Sequence, residues 1–194
     1  MDIAGLSAQV EGVFDDLDRQ IADFKKATAL HCPAGCGKCC FKPDIEATVL
    51  EFIPLALALY RQQLAWRRLE RLNAEKSGLC PVLAAGQTGA GLCSEYAHRG
   101  LICRLFGYSA RLSKHRSKEL VTCTIIKTGQ TGAFEEAGRR IAQGLPVPVM
   151  SDFYMRLHAI DADLSRDFFP IREAIRRALE TVLHYYAYHT HPCD

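Results

Sequence analysis

The chain has 194 residues, 48% of them hydrophobic and 24% charged, with a formal net charge of +2. That is the size of one domain with enough apolar mass for a core, so covalent staples are not required merely to fold. A charge so near zero makes no case for an anionic partner, and the most apolar stretch, Phe52 to Tyr60, falls far short of the roughly 20 residues that span a bilayer.

The N-terminal residues MDIAGLSAQVEGVFDDLDRQ carry acids early and no basic region leading into an apolar run. They do not read as a secretory signal, so the default expectation is a cytoplasmic protein with no membrane partner. Over 5–30 the spacing predicts an amphipathic helix. Leu6, Val10, Val13, Leu17, Ile21 and Phe24 recur at threes and fours, while Asp15, Asp16, Asp18 and Lys25 lie off the stripe. Pro33, Gly35 and Gly37 then break the pattern and place HCPAGCGKCC on a loop.

A second helix is expected from Thr48, because Thr48-Val-Leu-Glu51 matches a capping box. Pro54 is awkward inside it and predicts a kink or a later start. The helix should run through Leu59, Leu64 and Leu69 to about Asn73, with Arg61, Arg67, Arg68 and Arg71 outward. Residues 77–126 are short apolar pieces broken by Gly, Ser and Pro; Leu101–Tyr108 and Leu120–Ile126 read as short strands or as irregular segments held by metal. Further helices are expected over Gly132–Ala142, ended by Gly144 and Pro146–Pro148, near Ser151–His158, and from Pro170 to about Tyr188. The last carries Ile171, Ile175, Leu179, Val182 and Tyr186 on one face. The fold class expected is mostly α: a single domain over 1–194, with helices flanking an irregular cysteine-rich metal-binding core at 32–123.

Nine cysteines are present, and Cys32, Cys36, Cys39 and Cys40 form C-x3-C-x2-C-C within nine residues. In a reducing compartment such a cluster points to metal or redox chemistry, and an odd total would leave a disulfide framework incomplete. The two-residue gap between Cys36 and Cys39 lets both sulfurs of a tight turn reach one ion. Cys39 and Cys40 are neighbours, and on an extended backbone they would point to opposite sides and serve two metal positions. Cys80, Cys93, Cys103 and Cys123 supply the four further sulfurs that two closed four-coordinate sites require. The spacing leaves open which sulfurs share a metal, and each of those four has plain core as its competing reading.

Tetrathiolates suit zinc, slightly preferred here, and equally iron–sulfur clusters. The Cys32-Pro33 and Cys80-Pro81 pairs are of a ferredoxin kind, but the spacing is not. Lys38, Lys42, Arg99 and Arg104 stand beside the ligands in sequence and are placed to offset the thiolate charge.

C-x3-C-x2-C-C running into I-E-A-T-V-L-E, followed by Cys80-Pro-Val-Leu, Cys93-Ser-Glu-Tyr and Arg99 ahead of Cys103-Arg-Leu-Phe, resembles the CxxCxxCC family, also called the YkgJ-type cysteine cluster family. The resemblance spans Cys32 to about Cys123 and implies a zinc- or iron-chelating domain. Cys32, Cys36, Cys39, Cys40, Cys80, Cys93 and Cys103 fall on its cysteine positions, and Cys123 takes the last. A similar cluster in flagellin lysine N-methylases brings in iron–sulfur chemistry. The family usually has Arg-Pro where this chain has Arg99-Gly100, a change expected to loosen the turn.

Other features are weaker. Gly86-x2-Gly89-x-Gly91 lacks the Lys-Ser/Thr pair of a phosphate loop and reads as a turn. The basic run RLSKHRSK, with Arg111, Lys114, His115, Arg116 and Lys118, reads as a solvated connector before a nucleic-acid site. His189, His191 and Cys193 close the chain as a tail, and His31 is a spare ligand beside Cys32. Three functions follow: a structural metal site, an iron–sulfur redox or methylation enzyme component, or metal storage and sensing. The partner expected is the metal ion, and no residue set identifies a protein partner.

Overall fold

The computed structural model describes residues 2–33, 35–75, 77–85 and 91–189. Helix α1 (Ile3–Thr28) opens on Asp2, whose carboxylate accepts from the Gly5 N–H at 3.0 Å, and closes on Ala29 at φ 57°. An N-terminal carboxylate cap satisfies a donor the helix cannot satisfy itself. All six residues of the predicted stripe, Leu6 to Phe24, are buried.

Thr48 follows a two-residue strand, β1 (Glu46–Ala47), and leads through a 3-10 turn at Leu50–Phe52 into α2 (Ile53–Arg61). Pro54 therefore sits in the first helical turn, where a missing N–H costs nothing. The later start is what occurs. The continuous run to Asn73 does not occur. Gln63 takes φ 61°, Leu64 N–H bonds Leu59 C=O at 2.8 Å and Gln63 N–H bonds Tyr60 C=O at 2.9 Å. Those two bonds are a Schellman termination, normally announced by glycine, and Gln63 in that place carries no such signal. Helix α3 (Ala65–Ala74) starts afresh beyond it.

The middle holds a short antiparallel pair, β2 (Leu83–Ala85) with β3 (Gly91–Cys93), then α4 (Leu101–Leu105), the hairpin β4 (Ser109–Leu112) with β5 (Lys118–Val121), and α5 (Thr124–Gly129). Leu101–Tyr108 is thus largely helical where a strand or irregular segment was expected. Leu120–Ile126 is half strand and half helix start. The glycine run joins β2 to β3; its residues 86–90 lie outside the described residues. The basic run forms the tip of the β4–β5 hairpin. Arg111 bonds Glu119 across the pair at 3.0 Å, and Arg116 turns the chain at φ 61°.

Helices α6 (Thr131–Ala142), α7 (Met150–Ile160), α8 (Ala162–Arg166) and α9 (Ile171–His189) complete the chain, and β6 (Phe169–Pro170) pairs antiparallel with β1. Gly144 ends α6 as expected, at φ 99°. In the main core α2 lies against α1 and α9. Ile171, Ile175, Leu179 and Val182 are buried there, and Tyr186 stacks on Tyr60 with centroids 4.3 Å apart. A smaller core gathers Phe24, Leu30, Ala110, Ile126, Ala137, Ile141 and Val147. The two cores share α1, whose last turns pass from one into the other. Among the described residues no helix is long and apolar enough to cross a membrane.

Candidate metal centre

The first cysteine loop is built by its glycines. Gly35 and Gly37 take φ 68° and 51°, conformations that side chains resist, and let the chain reverse within a few residues. Cys36 N–H bonds Pro33 C=O at 3.2 Å, and Cys40 N–H bonds Gly37 C=O at 2.9 Å. Lys38–Phe41 is a 3-10 turn, so Cys39 and Cys40 do not stand on the extended backbone expected for them. The Cys40 thiol donates a hydrogen bond to the Cys39 sulfur.

The later cysteines come from the stretch before β2, from β3, from α4 and from the start of α5. Cys80 is buried, its N–H reaching the Cys40 C=O at 3.5 Å, and its own C=O accepts from Leu83. Cys93 stands opposite Leu83 on β3. Cys103 lies on α4. Cys123 caps α5, its sulfur accepting from Ile126 N–H at 3.4 Å. His31 is exposed and locked to Gln130. The His31 N–H donates to the Gln130 side chain at 3.1 Å, and that side chain donates back to the His31 C=O at 2.6 Å. This clasp ties Cys32 to the α5–α6 junction, and Cys123 caps α5 at its other end. Nothing in the local sequence marks Gln130, since its partner lies 99 residues away.

All eight cysteines within the described residues are free thiols, none joined as a disulfide. Cys193 and His191 lie outside the described residues, and His189 stacks on Tyr185. Among the described residues no three Cys, His, Asp or Glu side chains stand as a formed ion cage. The thiols nevertheless act on one another. The Cys40 thiol hydrogen-bonds the Cys39 sulfur and, with help from Arg99, holds Cys39 down at about 6. Cys40 is pushed up by the same bond and by burial, so the pair keeps one proton between two sulfurs. Cys32 is exposed at the surface, yet partial loss of water around its sulfur raises it to about 11, reinforced by Cys36, Cys123 and Cys39. Burial likewise raises Cys80 to about 11, and raises Cys93 and Cys103. A cation bound by these thiols would have to displace their protons, so its affinity would fall as pH falls.

Of the four neighbouring cations, Arg99 is the one whose charge lowers Cys39, Cys93 and Cys103. Its guanidinium lies 3.7 Å from the Tyr96 ring centroid. Arg104 is occupied otherwise: it is buried, pairs with Asp18, and donates to the carbonyls of Arg99 at 3.0 Å and Ala97 at 2.6 Å. It orders the turn ahead of Cys103. Lys38 and Lys42 are exposed.

Two residues missed by spacing matter most. Glu51 is fully buried, and one carboxylate oxygen accepts from Thr48 N–H at 2.7 Å and Thr48 Oγ1 at 3.2 Å. The other accepts from Ile102 N–H at 2.8 Å, capping the helix that carries Cys103. The capping box was legible; its second use 51 residues downstream was not. Gly100 lies against it. A Cβ there would sit 2.7 Å from the Phe52 ring and 2.9 Å from Glu51, so this glycine tightens the turn instead of loosening it. Among the described residues the buried hydroxyls of Tyr108, Thr122 and Tyr154 have no partner at ordinary hydrogen-bond distance, the Cys32 backbone being only a weak neighbour of Tyr108. Thr122 precedes Cys123, Tyr108 feels Cys32 and Cys123, and Tyr154 feels Glu51 first and then Cys103. Unpaired buried hydroxyls are costly, and each of these three stands in the part of the fold that carries the cysteines.

Residues 31–124 match a family model, CxxCxxCC, described as a "putative zinc- or iron-chelating domain". The match covers the whole cysteine segment, a little under half of the 194 residues. No curated protein and no solved structure matches the chain. The class of the site is thus a metal-chelating cysteine domain set in a mostly helical protein.

Proposed function

We propose that this is a cytoplasmic metalloprotein in which Cys32, Cys36, Cys39, Cys40, Cys80, Cys93, Cys103 and Cys123 hold zinc, and that the metal's role is structural. The reading is supported by one observation: free thiols from five parts of the chain lie near enough for their charges to act on one another. The donor set fits soft-metal chemistry, since thiolate selects zinc and iron–sulfur over oxygen-loving ions. The unpartnered hydroxyls fit it too. A reducing compartment keeps such thiols free. Bound zinc would supply the cross-links that the short elements between Cys32 and Cys123 cannot supply by packing. Closed tetrathiolates leave no coordination position for water or substrate, which is why the role is structural and not hydrolytic.

Anaerobic purification with elemental analysis and an absorption spectrum tests this. The expected result is colourless protein with about two zinc per chain, from four sulfurs per tetrahedral ion. Iron with sulfide and visible absorption would replace zinc by the cluster reading and reopen redox or methylation chemistry. Metal lost to a mild chelator with no change in fold would favour storage or sensing.

A further inference from the structure

We propose that the eight thiols form two separate sites, an inner one of Cys40, Cys80, Cys93 and Cys103 and an outer one of Cys32, Cys36, Cys39 and Cys123. This deepens the proposed function and rests on it. Packing supplies the first argument. Cys40, Cys93 and Cys103 lie against the main core, of which Cys80 is a buried member, whereas Cys123 packs on the smaller core.

Backbone connections give the same division. The Cys80 N–H to Cys40 C=O bond, the Leu83 N–H to Cys80 C=O bond and the Leu83–Cys93 pairing hold three inner cysteines to one stretch of chain. Glu51 fixes the helix bearing the fourth. On the other side the His31–Gln130 clasp ties Cys32 to the α5–α6 junction, and Cys123 starts α5. The charges felt by each thiol agree: Cys40 feels Cys80 and Cys103, and Cys103 feels Cys80 and Cys93, while Cys32 feels Cys36 and Cys123. Cys39 neighbours both groups, and with four inner thiols already present, four-coordination assigns it to the outer site. Cys32 and Cys39 are exposed and Cys80 is buried, so the outer site exchanges metal first.

The test loads full-length protein with Zn²⁺ anaerobically, counts bound zinc, and follows its release to a chelator. Wild type should bind about two ions and release them in two phases. Cys123→Ser and the double variant Cys32→Ser/Cys123→Ser should each keep about one ion and lose the fast phase. Cys93→Ser should keep about one and lose the slow phase, and Cys93→Ser/Cys123→Ser should bind none. Loss of both ions in Cys123→Ser, or retention of both in the outer double variant, overturns the partition. If the inner variants fail to fold, the two outer variants still decide. Wild type that binds no metal defeats the proposed function as well; wild type that binds metal with the wrong pattern defeats the partition alone.

Discussion

Along α1, α2 and α9 the apolar stripes are buried side chain after side chain, while between Cys32 and Cys123 the elements are two to five residues long outside α2 and α3. The first region holds itself together by burial, at about 25 cal/mol per Å² of apolar surface. The second cannot, because strands and helices of that length close too few backbone bonds to repay their ordering. It is anchored to the frame by Val82, Leu101 and Leu105, which join the main core, and by polar contacts such as Glu51 to Ile102 and Arg104 to Asp18. The difference teaches where metal would matter: in the segment that packing leaves unfinished.

The largest effect should fall on the frame. Leu17→Ala, at a fully buried position, should cost about 3–5 kcal/mol in urea denaturation whether or not metal is present. A loss that appeared only in metal-free protein would erase the contrast between the regions.

Next comes Glu51, which joins them. Burial raises its carboxyl to about 7 from an ordinary 4.5. The folded state therefore keeps a proton that the unfolded chain releases, and stability falls as pH rises from 4.5 through 7. The full effect is about 3 kcal/mol, at 1.36 kcal/mol per unit. Denaturation midpoints at pH 5 and pH 7.5 check it, and an unchanged or rising midpoint would refute the assignment.

Gly100→Ala should then cost about 1–3 kcal/mol through the Phe52 ring, with partial rescue by Phe52→Leu in a double-mutant cycle. Additive losses would mean that the two residues do not meet. Tyr154→Phe removes a hydroxyl with no partner, so metal-free stability should hold. Zinc affinity should nonetheless fall about 10-fold, as for other groups that support a metal's ligands. The smallest change belongs to the hairpin tip: Arg111→Ala breaks an exposed pair and should shift stability by no more than about 0.5 kcal/mol, with metal content unaltered.

Much of the frame was legible because helical periodicity is a local signal. Leu6 to Phe24 and Ile171 to Val182 were read from spacing, and each proved buried. The helix break at Gln63 was not legible, because a Schellman turn without glycine leaves no trace in composition. The helical turn carrying Cys103 was hidden for another reason. Five residues cannot announce a period, and their cap, Glu51, is supplied from far along the chain.

By itself the sequence determined the helical frame, the thiol inventory and the metal-chelating class, since periodicity and residue chemistry act at short range. Tertiary structure decided which thiols are neighbours, that Gly100 is a point of close packing, and that Tyr108 and Tyr154 hydroxyls stand buried without partners near sulfur. Those facts depend on contacts between residues far apart in the chain, which form only when the two cores close on either side of α1.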